Sequence, residues 1–339
     1  MSNTDAILEG KDEDDAVATP SVSERPQRLR NALILIVQIA VSIGLLAWVL
    51  SDVDIASLGN AIAGLNPWFM IAAAAVLPLH IPANAWRWRY VWPPGNQSPS
   101  LATLSHLITI GLFFNQVLPP PVGGDAVRTV AARRYGCSLP TAALSILIER
   151  TWGLIVVTLM ILPTLPLLMP NQLPSGQSPW TSAALLTLLA GLGLVATFYI
   201  FLWGCRRLEA RLQRPLILKL LEQWRVSTLQ PGRAIVLLML SVIGQAPPII
   251  AIVLIAMALP VGIDPTSALL VAPLALFATV IPLSFAGWGV REGVMVTALA
   301  GLGVNSAAAL SLSLTFGMLL LLISLPGALL WQWRRPVKG

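Results

Sequence analysis

The sequence predicts an all-α, polytopic helical membrane protein, with about six full spans and two re-entrant broken hairpins arranged as an inverted repeat. The 339 residues are 56% hydrophobic and only 11% charged, with a mean hydropathy of +0.78. This balance is far from that of a soluble globular domain. Apolar stretches near the bilayer-spanning length of about 20 residues recur along the chain. The loops between them alternate between arginine-rich and uncharged, which orients the spans.

The first 30 residues differ from the rest of the chain in charge. They contain seven acidic and four basic residues, a net charge of −3, whereas the remainder contains 17 basic and eight acidic residues, a net charge of +9. With few large apolar residues, the segment 1–30 is expected to be a disordered cytoplasmic tail. It lacks the features of a cleaved signal peptide, so the first apolar segment is expected to remain as an anchor.

Six segments are predicted to span the membrane fully, at 33–50, 68–86, 144–169, 181–203, 234–259 and 310–333. Short cytoplasmic loops are enriched in Lys and Arg. The basic linker 206–233 is therefore placed inside, with a short amphipathic helix on the membrane surface. Both termini are also placed inside, whereas loops without Lys or Arg are placed outside, at 51–67, 170–180 and 260–267.

Two further apolar stretches are interrupted by proline or glycine. Given the sides of their neighbours, residues 101–143 must enter and leave from the inside, and residues 268–303 from the outside. We therefore predict two broken hairpins within one transmembrane domain, 31–333, made of repeat one, 33–169, and repeat two, 181–333. Inverted repeats with interrupted helices are typical of transporters whose substrate site lies at the repeat interface.

The first interruption reads "PPPVGGDAVR". Non-helical backbone at membrane depth is tolerated where it is buried in protein or lines a wet cavity. Gly123 and Gly124 would permit close approach and positive φ, Asp125 would cap the following helix, and Arg128 lies about one turn on. These residues predict an anion site. The alternative is a cap and an arginine that extends to the membrane interface.

The second interruption reads "SFAGWGVREG" and supplies Gly287, Trp288, Gly289, Arg291 and Glu292. Arginine suits phosphate because its planar guanidinium donates two hydrogen bonds at once. Trp288 would stack on a sugar or line an apolar path. The alternative is that the charged pair lies in an interfacial loop and that the tryptophan is a residue of the aromatic belt.

Two charged residues, Glu149 and Arg150, lie within the apolar run "LSILIERTWGL". Charges at this depth usually pair or face a polar cavity. Because helix neighbours point about 100° apart, each needs a partner elsewhere, and we expect Glu149 to meet an arginine of the hairpins. A purely structural ion pair is the alternative. Arg87 and Arg89, which alternate with aromatic residues, are interpreted as interfacial anchors.

No catalytic set, metal site or cofactor site is predicted. The sequence has no nucleophile elbow, P-loop, dinucleotide fingerprint or metal-binding aspartate pair. His80 and His106 are the only histidines, without clustered carboxylates or cysteines. The basic surplus falls where membrane topology places it, so nucleic acid is not an expected partner.

Two signatures resemble the transmembrane-region family of lysylphosphatidylglycerol synthases. "GGDAVRTVAARRYGCSLPTAALSILIERTWGL" is similar to the family's Gly-Gly-acid, Arg and Glu-Arg pattern, and "IPLSFAGWGVREGVMVTALAGLGV" to its Gly-x-Gly-x-Arg-Glu pattern. "GCS" at 136–138 is a minor departure. The resemblance carries over to the signature positions, namely Gly123, Gly124, Asp125, Arg128, Glu149, Arg150, Gly287, Gly289, Arg291 and Glu292.

The resemblance implies a flippase-like protein that moves aminoacylated or glycosylated lipids between leaflets. We expect its substrates to extend to polyprenyl-phosphate lipids, and we expect no enzymatic activity. Its expected partners are membrane lipids with phosphate headgroups, and its expected location is a bacterial-type inner membrane. We expect no soluble synthase domain after residue 333, so that either the lipid-modifying enzyme is a separate protein or the substrate is a different lipid. A separate lipid-modifying enzyme or glycosyltransferase is therefore an expected partner. Two alternatives stay open, namely a membrane-embedded transferase and a membrane anchor for a cytoplasmic glycosyltransferase.

Overall fold

The structure is a computed structural model that describes residues 63–93, 98–117, 122–168, 222–226, 230–280 and 284–333, with isolated helical positions between 33 and 60 and between 181 and 207. All regular secondary structure in this part of the chain is helical. The predicted acidic tail and two of the predicted spans, 33–50 and 181–203, lie wholly or mostly outside the described residues. Most of the basic linker 206–233 does so too.

Four helical runs in the described part are long and apolar enough to cross a bilayer. They are Pro67–Tyr90, Leu139–Ile161, Gly232–Ala258 and Ser306–Gln332. Each overlaps a predicted full span, which confirms a polytopic helical membrane protein. Two apolar helices, Leu101–Val117 and Pro265–Ala278, are shorter than a span. They coincide with the two stretches in which the sequence predicts interruptions.

The first described span consists of α1 (Pro67–Val76) and α2 (His80–Tyr90), joined by a 3₁₀ turn at Leu77–Leu79. Asn66 begins α1 because its side-chain oxygen accepts the N–H of Trp68 at 3.0 Å. Pro78 lies within the 3₁₀ turn and cannot donate a helical hydrogen bond, which accounts for the tightening there. The continuous run carries the end of α2 beyond the predicted limit at 86.

The first hairpin consists of α3 (Leu101–Val117) and α4 (Val122–Ala132), and the next helices are α5 (Leu139–Ile161) and α6 (Leu165–Leu168). A 3₁₀ turn and left-handed Gly136 end the hairpin. Ser138 then caps α5 by accepting the N–H of Thr141 at 3.4 Å. Because of this cap, α5 begins five residues before the predicted limit at 144.

The second half of the described chain contains α7 (Pro231–Ala258), α8 (Pro265–Ala278), α9 (Val290–Ala300), α10 (Ser306–Ser324) and α11 (Pro326–Trp333). Helices α8 and α9 form the second hairpin. The side chain of Asp264 begins α8 and that of Asn305 begins α10. The order of hairpin followed by span therefore recurs in both halves, whereas their inverted orientation stays a prediction.

Helix α7 holds the two halves together. It packs on α1, α2 and α5 of the first half and on α8 and α10 of the second. One apolar core lies between α7, α8 and α10, around Ile252, Val271 and Phe316. A second lies between α2, α3 and α5, around Trp88 and Leu104. Each hairpin is therefore anchored in the core of its own half.

Candidate functional site

The two limbs of the first hairpin approach each other at glycine. The N–H of Gly124 donates to Asn115 Oδ1 at 3.0 Å. A Cβ on Gly124 would overlap the carbonyl oxygen of Gly111 and lie 2.6 Å from Asn115 Oδ1. Gly111 in turn leaves room for the aliphatic part of Arg128, because a Cβ there would lie 2.9 Å from its Cδ. The predicted close approach at Gly124 is confirmed.

Two details of the predicted turn are wrong. Gly123 and Gly124 lie inside α4, and neither has positive φ. Helix α4 begins at Val122, so Asp125 lies in its first turn and is not the capping residue. The helix starts earlier than expected because both glycines adopt helical conformation. Pro119, Pro120 and Pro121 lie outside the described residues.

A buried carboxylate on α5, that of Glu149, lies against the first hairpin. Glu149 Oε1 accepts a hydrogen bond from Arg87 Nη2 at 2.5 Å, and Glu149 Oε2 accepts one from Arg128 Nη2 at 3.0 Å. These residues lie on α5, α2 and α4, and their exposed fractions are 3%, 4% and 7%. The predicted contact of Glu149 with a hairpin arginine is therefore confirmed. Each oxygen of one carboxylate binds a different guanidinium.

A second ion pair lies at the edge of this cluster. Arg150 Nη2 donates to Asp125 Oδ1 at 2.8 Å, and its Nε contacts Oδ2. The Arg150 side chain is 45% exposed and that of Asp125 is 19% exposed. Asp125 Oδ1 also lies 3.5 Å from Arg128 Nη1. Glu149 and Arg150, adjacent in sequence, thus find separate partners, as the helical geometry predicts.

An aromatic ring supports Arg128. The guanidinium carbon lies 4.2 Å from the ring centroid of Trp88, a distance at which a cation is attracted to the face of the ring. Trp88 is buried, and its Nε1 donates to Ser145 Oγ at 3.1 Å. Arg128 is therefore held by a carboxylate and by an indole ring.

The interpretation of Arg87 as an interfacial anchor is wrong. Arg87 and Trp88 are buried, whereas Arg89 is exposed. Successive helix residues point about 100° apart, so neighbouring residues of α2 can face different surroundings. Arg87 and Trp88 face the protein interior, although the surrounding run of arginines and aromatic residues has the composition of an interfacial belt. The buried charge of Glu149, which needs a partner, was the signal in the sequence that pointed towards an additional arginine.

The turn of the second hairpin has unusual backbone conformations. Ala286, Gly287 and Gly289 have φ of 52°, 80° and 88°. Positive φ is ordinary for glycine and uncommon for alanine. A Cβ on Gly287 would lie 3.3 Å from Thr279 Cα. The predicted glycine turn is therefore present here, immediately before α9. Pro282 lies outside the described residues.

Arg291 and Glu292 are buried in the first turn of α9 and are not part of an interfacial loop. Arg291 Nη2 donates to Glu292 Oε1 at 2.5 Å. The second carboxylate oxygen accepts the N–H of Gly289 at 2.6 Å. Ser313 on α10 contacts both side chains, at 3.3 Å from Arg291 Nε and 3.2 Å from Glu292 Oε1. This second cluster is charge-neutral.

Trp288 lies over Arg291, with 4.9 Å between the guanidinium carbon and the centroid of the indole ring. Gly317 on α10 makes room for both, because a Cβ there would overlap Arg291 Nη2 and lie 3.0 Å from the indole ring. Each hairpin thus places an arginine between a carboxylate, a tryptophan ring and a glycine. The similarity is chemical, since the two carboxylates come from different positions in each half.

The two hairpins touch. Helix α3 of the first contacts the 3₁₀ turn Phe285–Gly287 of the second, and it also packs on α10 and α11. Gly327 of α11 lies against α3, where a Cβ would be 2.8 Å from Phe113 Cβ. Phe114 and Trp331 meet edge to face at 5.1 Å. The interrupted elements of both halves therefore lie side by side within the protein.

These features define a polytopic helical membrane protein in which two interrupted helix pairs meet, and in which one arginine of each pair binds a buried glutamate. The family described as "Lysylphosphatidylglycerol synthase TM region" matches residues 35–327, and the chain belongs to this family. No curated protein matches the chain. Membership places the chain among membrane-embedded, multi-pass proteins that take part in lipid headgroup handling or translocation.

Proposed function

We propose that the protein translocates a lipid or lipid-linked headgroup between the leaflets of a bacterial-type inner membrane, with both termini in the cytoplasm. The supporting observation is the position of Arg128. It lies on the second limb of an interrupted helix, is buried, and binds Glu149 of the following span at 3.0 Å. Buried charges in spans mark substrate paths, and interrupted helices frame transporter sites.

The proposed path passes between the two hairpins. Arg128 contacts the phosphate of the headgroup, and Glu149 holds the guanidinium in place when no headgroup is bound. The contact between α3 and the Phe285–Gly287 turn supports a path that both hairpins share. In this proposal the protein changes the leaflet in which a lipid lies and leaves its covalent structure unchanged.

The test uses the purified full chain in liposomes that contain a fluorescent phosphatidylglycerol. A membrane-impermeant reductant bleaches only the outer leaflet, so translocation is measured as bleaching beyond that seen in protein-free liposomes. Mass spectrometry of the recovered lipid follows. We expect additional bleaching and an unchanged lipid mass. Bleaching equal to that of protein-free liposomes would contradict translocation, and a covalently altered lipid would favour a transferase.

A further inference from the structure

The buried cluster of the first hairpin has an excess positive charge. Arg87 and Arg128 share the single carboxylate of Glu149, which leaves a net charge of +1. Including the ion pair of Arg150 with Asp125 leaves the balance at +1. The excess is therefore the same for the buried core and for the whole cluster.

The other carboxylates that the structure describes lie elsewhere. Glu292 binds Arg291, Asp264 begins α8, and Glu222 is exposed. An uncompensated charge in a low-dielectric interior is costly, and a buried charge is stable only with a partner. A single negative charge would balance the cluster.

Both arginines also have guanidinium N–H groups that are available to donate hydrogen bonds to a ligand. Arg87 Nε, Arg87 Nη1 and Arg128 Nε are buried and make no hydrogen bond with any residue that the structure describes. Two glycines lie beside the Nη1 group of Arg87. A Cβ on Gly153 would lie 3.2 Å from Nη1, and a Cβ on Gly244 would lie 3.7 Å from it. Buried N–H groups of this kind are normally satisfied, and an unmade bond costs free energy.

The second hairpin lacks these properties. Arg291 and Glu292 neutralise each other, and the Arg291 Nε and Nη2 groups are both hydrogen-bonded. The Glu292 carboxylate is occupied by Arg291, Ser313 and the N–H of Gly289. The charges and hydrogen bonds of this cluster are therefore satisfied within the protein, and the cluster fixes the start of α9 against α10.

We infer that Arg87 and Arg128 together bind one phosphodiester monoanion at the first hairpin. The inference rests on the proposed function, because it names the headgroup chemistry that the same site takes. A phosphodiester carries one negative charge and accepts several hydrogen bonds, which matches the excess charge and the free donors of the cluster. Arg87 therefore acts as a binding residue, and Arg291 acts as a structural one.

The test measures binding to the purified full chain in detergent, by calorimetry. The probes are dioctanoyl phosphatidylglycerol, dioctanoyl phosphatidic acid, dioctanoylglycerol and dimethyl phosphate. We expect phosphatidylglycerol to bind and dioctanoylglycerol, which has no phosphate, to bind at least about tenfold more weakly. Dimethyl phosphate distinguishes a free anion from a lipid, because it presents the same charge without acyl chains. In either case the binding must depend on Arg87.

Arg87→Gln is expected to weaken phosphatidylglycerol binding at least about tenfold, because a charge-assisted donor is lost. Arg87→Lys keeps the charge but loses the planar donors, so it is expected to weaken binding less than Arg87→Gln. Arg89→Gln, two residues away on the exposed side of α2, is the matched control and is expected to bind as the wild type does. Glu149→Gln raises the excess charge by one, which should shift the preference towards phosphatidic acid.

Wild-type affinity in both Arg87→Gln and Arg87→Lys, or equal binding of dioctanoylglycerol, would overturn the inference. If Arg87→Gln is not monodisperse on size exclusion, the lysine and Glu149→Gln variants decide the question. If binding depends on Arg87 but the wild type exchanges no lipid between leaflets, the proposed function is contradicted and the phosphodiester site is still supported. Leaflet exchange with wild-type binding in the Arg87 variants would contradict the site alone.

Discussion

Arg87 and Glu149, 62 residues apart in sequence, form a buried hydrogen-bonded ion pair with 2.5 Å between Nη2 and Oε1. The pair joins α2 to α5, and the second oxygen of Glu149 extends the connection to Arg128 on α4. Three helices of the first half therefore meet at one carboxylate. We therefore expect a substitution of Glu149 to weaken the contacts of α5 with both α2 and α4.

Removing this carboxylate should destabilise the protein more than removing the carboxylate at the edge of the cluster. Glu149→Ala leaves two buried guanidinium groups without their acceptor, and we expect it to cost about 3–5 kcal/mol. Asp125→Ala breaks a pair whose Arg150 partner is 45% exposed, and we expect a cost below about 1 kcal/mol. Thermal unfolding in detergent measures the difference, and equal losses in the two variants would contradict the central position of Glu149.

The close approach in the first hairpin depends on the absence of a side chain at Gly124. A methyl group there would overlap the carbonyl oxygen of Gly111, so Gly124→Ala is expected to destabilise the protein by about 1–3 kcal/mol. Gly232→Ala is the matched control, because a Cβ at that position of α7 would have no atom of the described residues within 4 Å. Unfolding temperatures that fall equally in both variants would show that α3 and α4 do not pack as described.

In the turn of the second hairpin, substitutions at two neighbouring residues should change the unfolding temperature in opposite directions. Ala286 adopts a left-handed conformation with φ 52°, which costs a non-glycine residue about 1–2 kcal/mol. Ala286→Gly removes this strain and should raise the unfolding temperature. Gly287→Ala introduces the strain at φ 80° and places a Cβ 3.3 Å from Thr279, so it should lower the temperature. A decrease in both variants would contradict this turn geometry.

The start of α8 should depend on pH through Asp264. The hydroxyl of Thr266 and the N–H of Ser267 donate to its carboxylate and lower its pKa below the ordinary 3.8. A lowered pKa in the folded state means that the stabilisation is present above 3.8 and is lost as the pH falls through the folded-state value. Asp264→Asn should therefore be less stable than the wild type at pH 7. The difference should shrink below pH 3.8, and a pH-independent difference would contradict the role of the carboxylate.

The sequence predicts the spans and both interruptions because each depends only on a contiguous segment. A span needs a long apolar run, and an interruption needs proline or glycine within such a run. The partner of Glu149 is predictable in type, since a buried carboxylate needs a cation, and Arg128 supplies one. Arg87 could not be separated from Arg89 by composition, because only the packing of α2 on α5 decides which is buried. Composition also does not show whether a glycine is needed for close packing of two helices or for positive φ. Gly124 serves close approach within a helix, whereas Gly287 serves positive φ.

Arg128 is the point of headgroup contact in the proposed translocation. The direct measurement is the rate of leaflet exchange of fluorescent phosphatidylglycerol in liposomes that contain equal amounts of wild type, Arg128→Ala or the exposed control Arg89→Ala. We predict that Arg128→Ala is inserted and monodisperse but exchanges lipid no faster than protein-free liposomes, while Arg89→Ala matches the wild type. Wild-type exchange in Arg128→Ala would show that the headgroup crosses the membrane by another route.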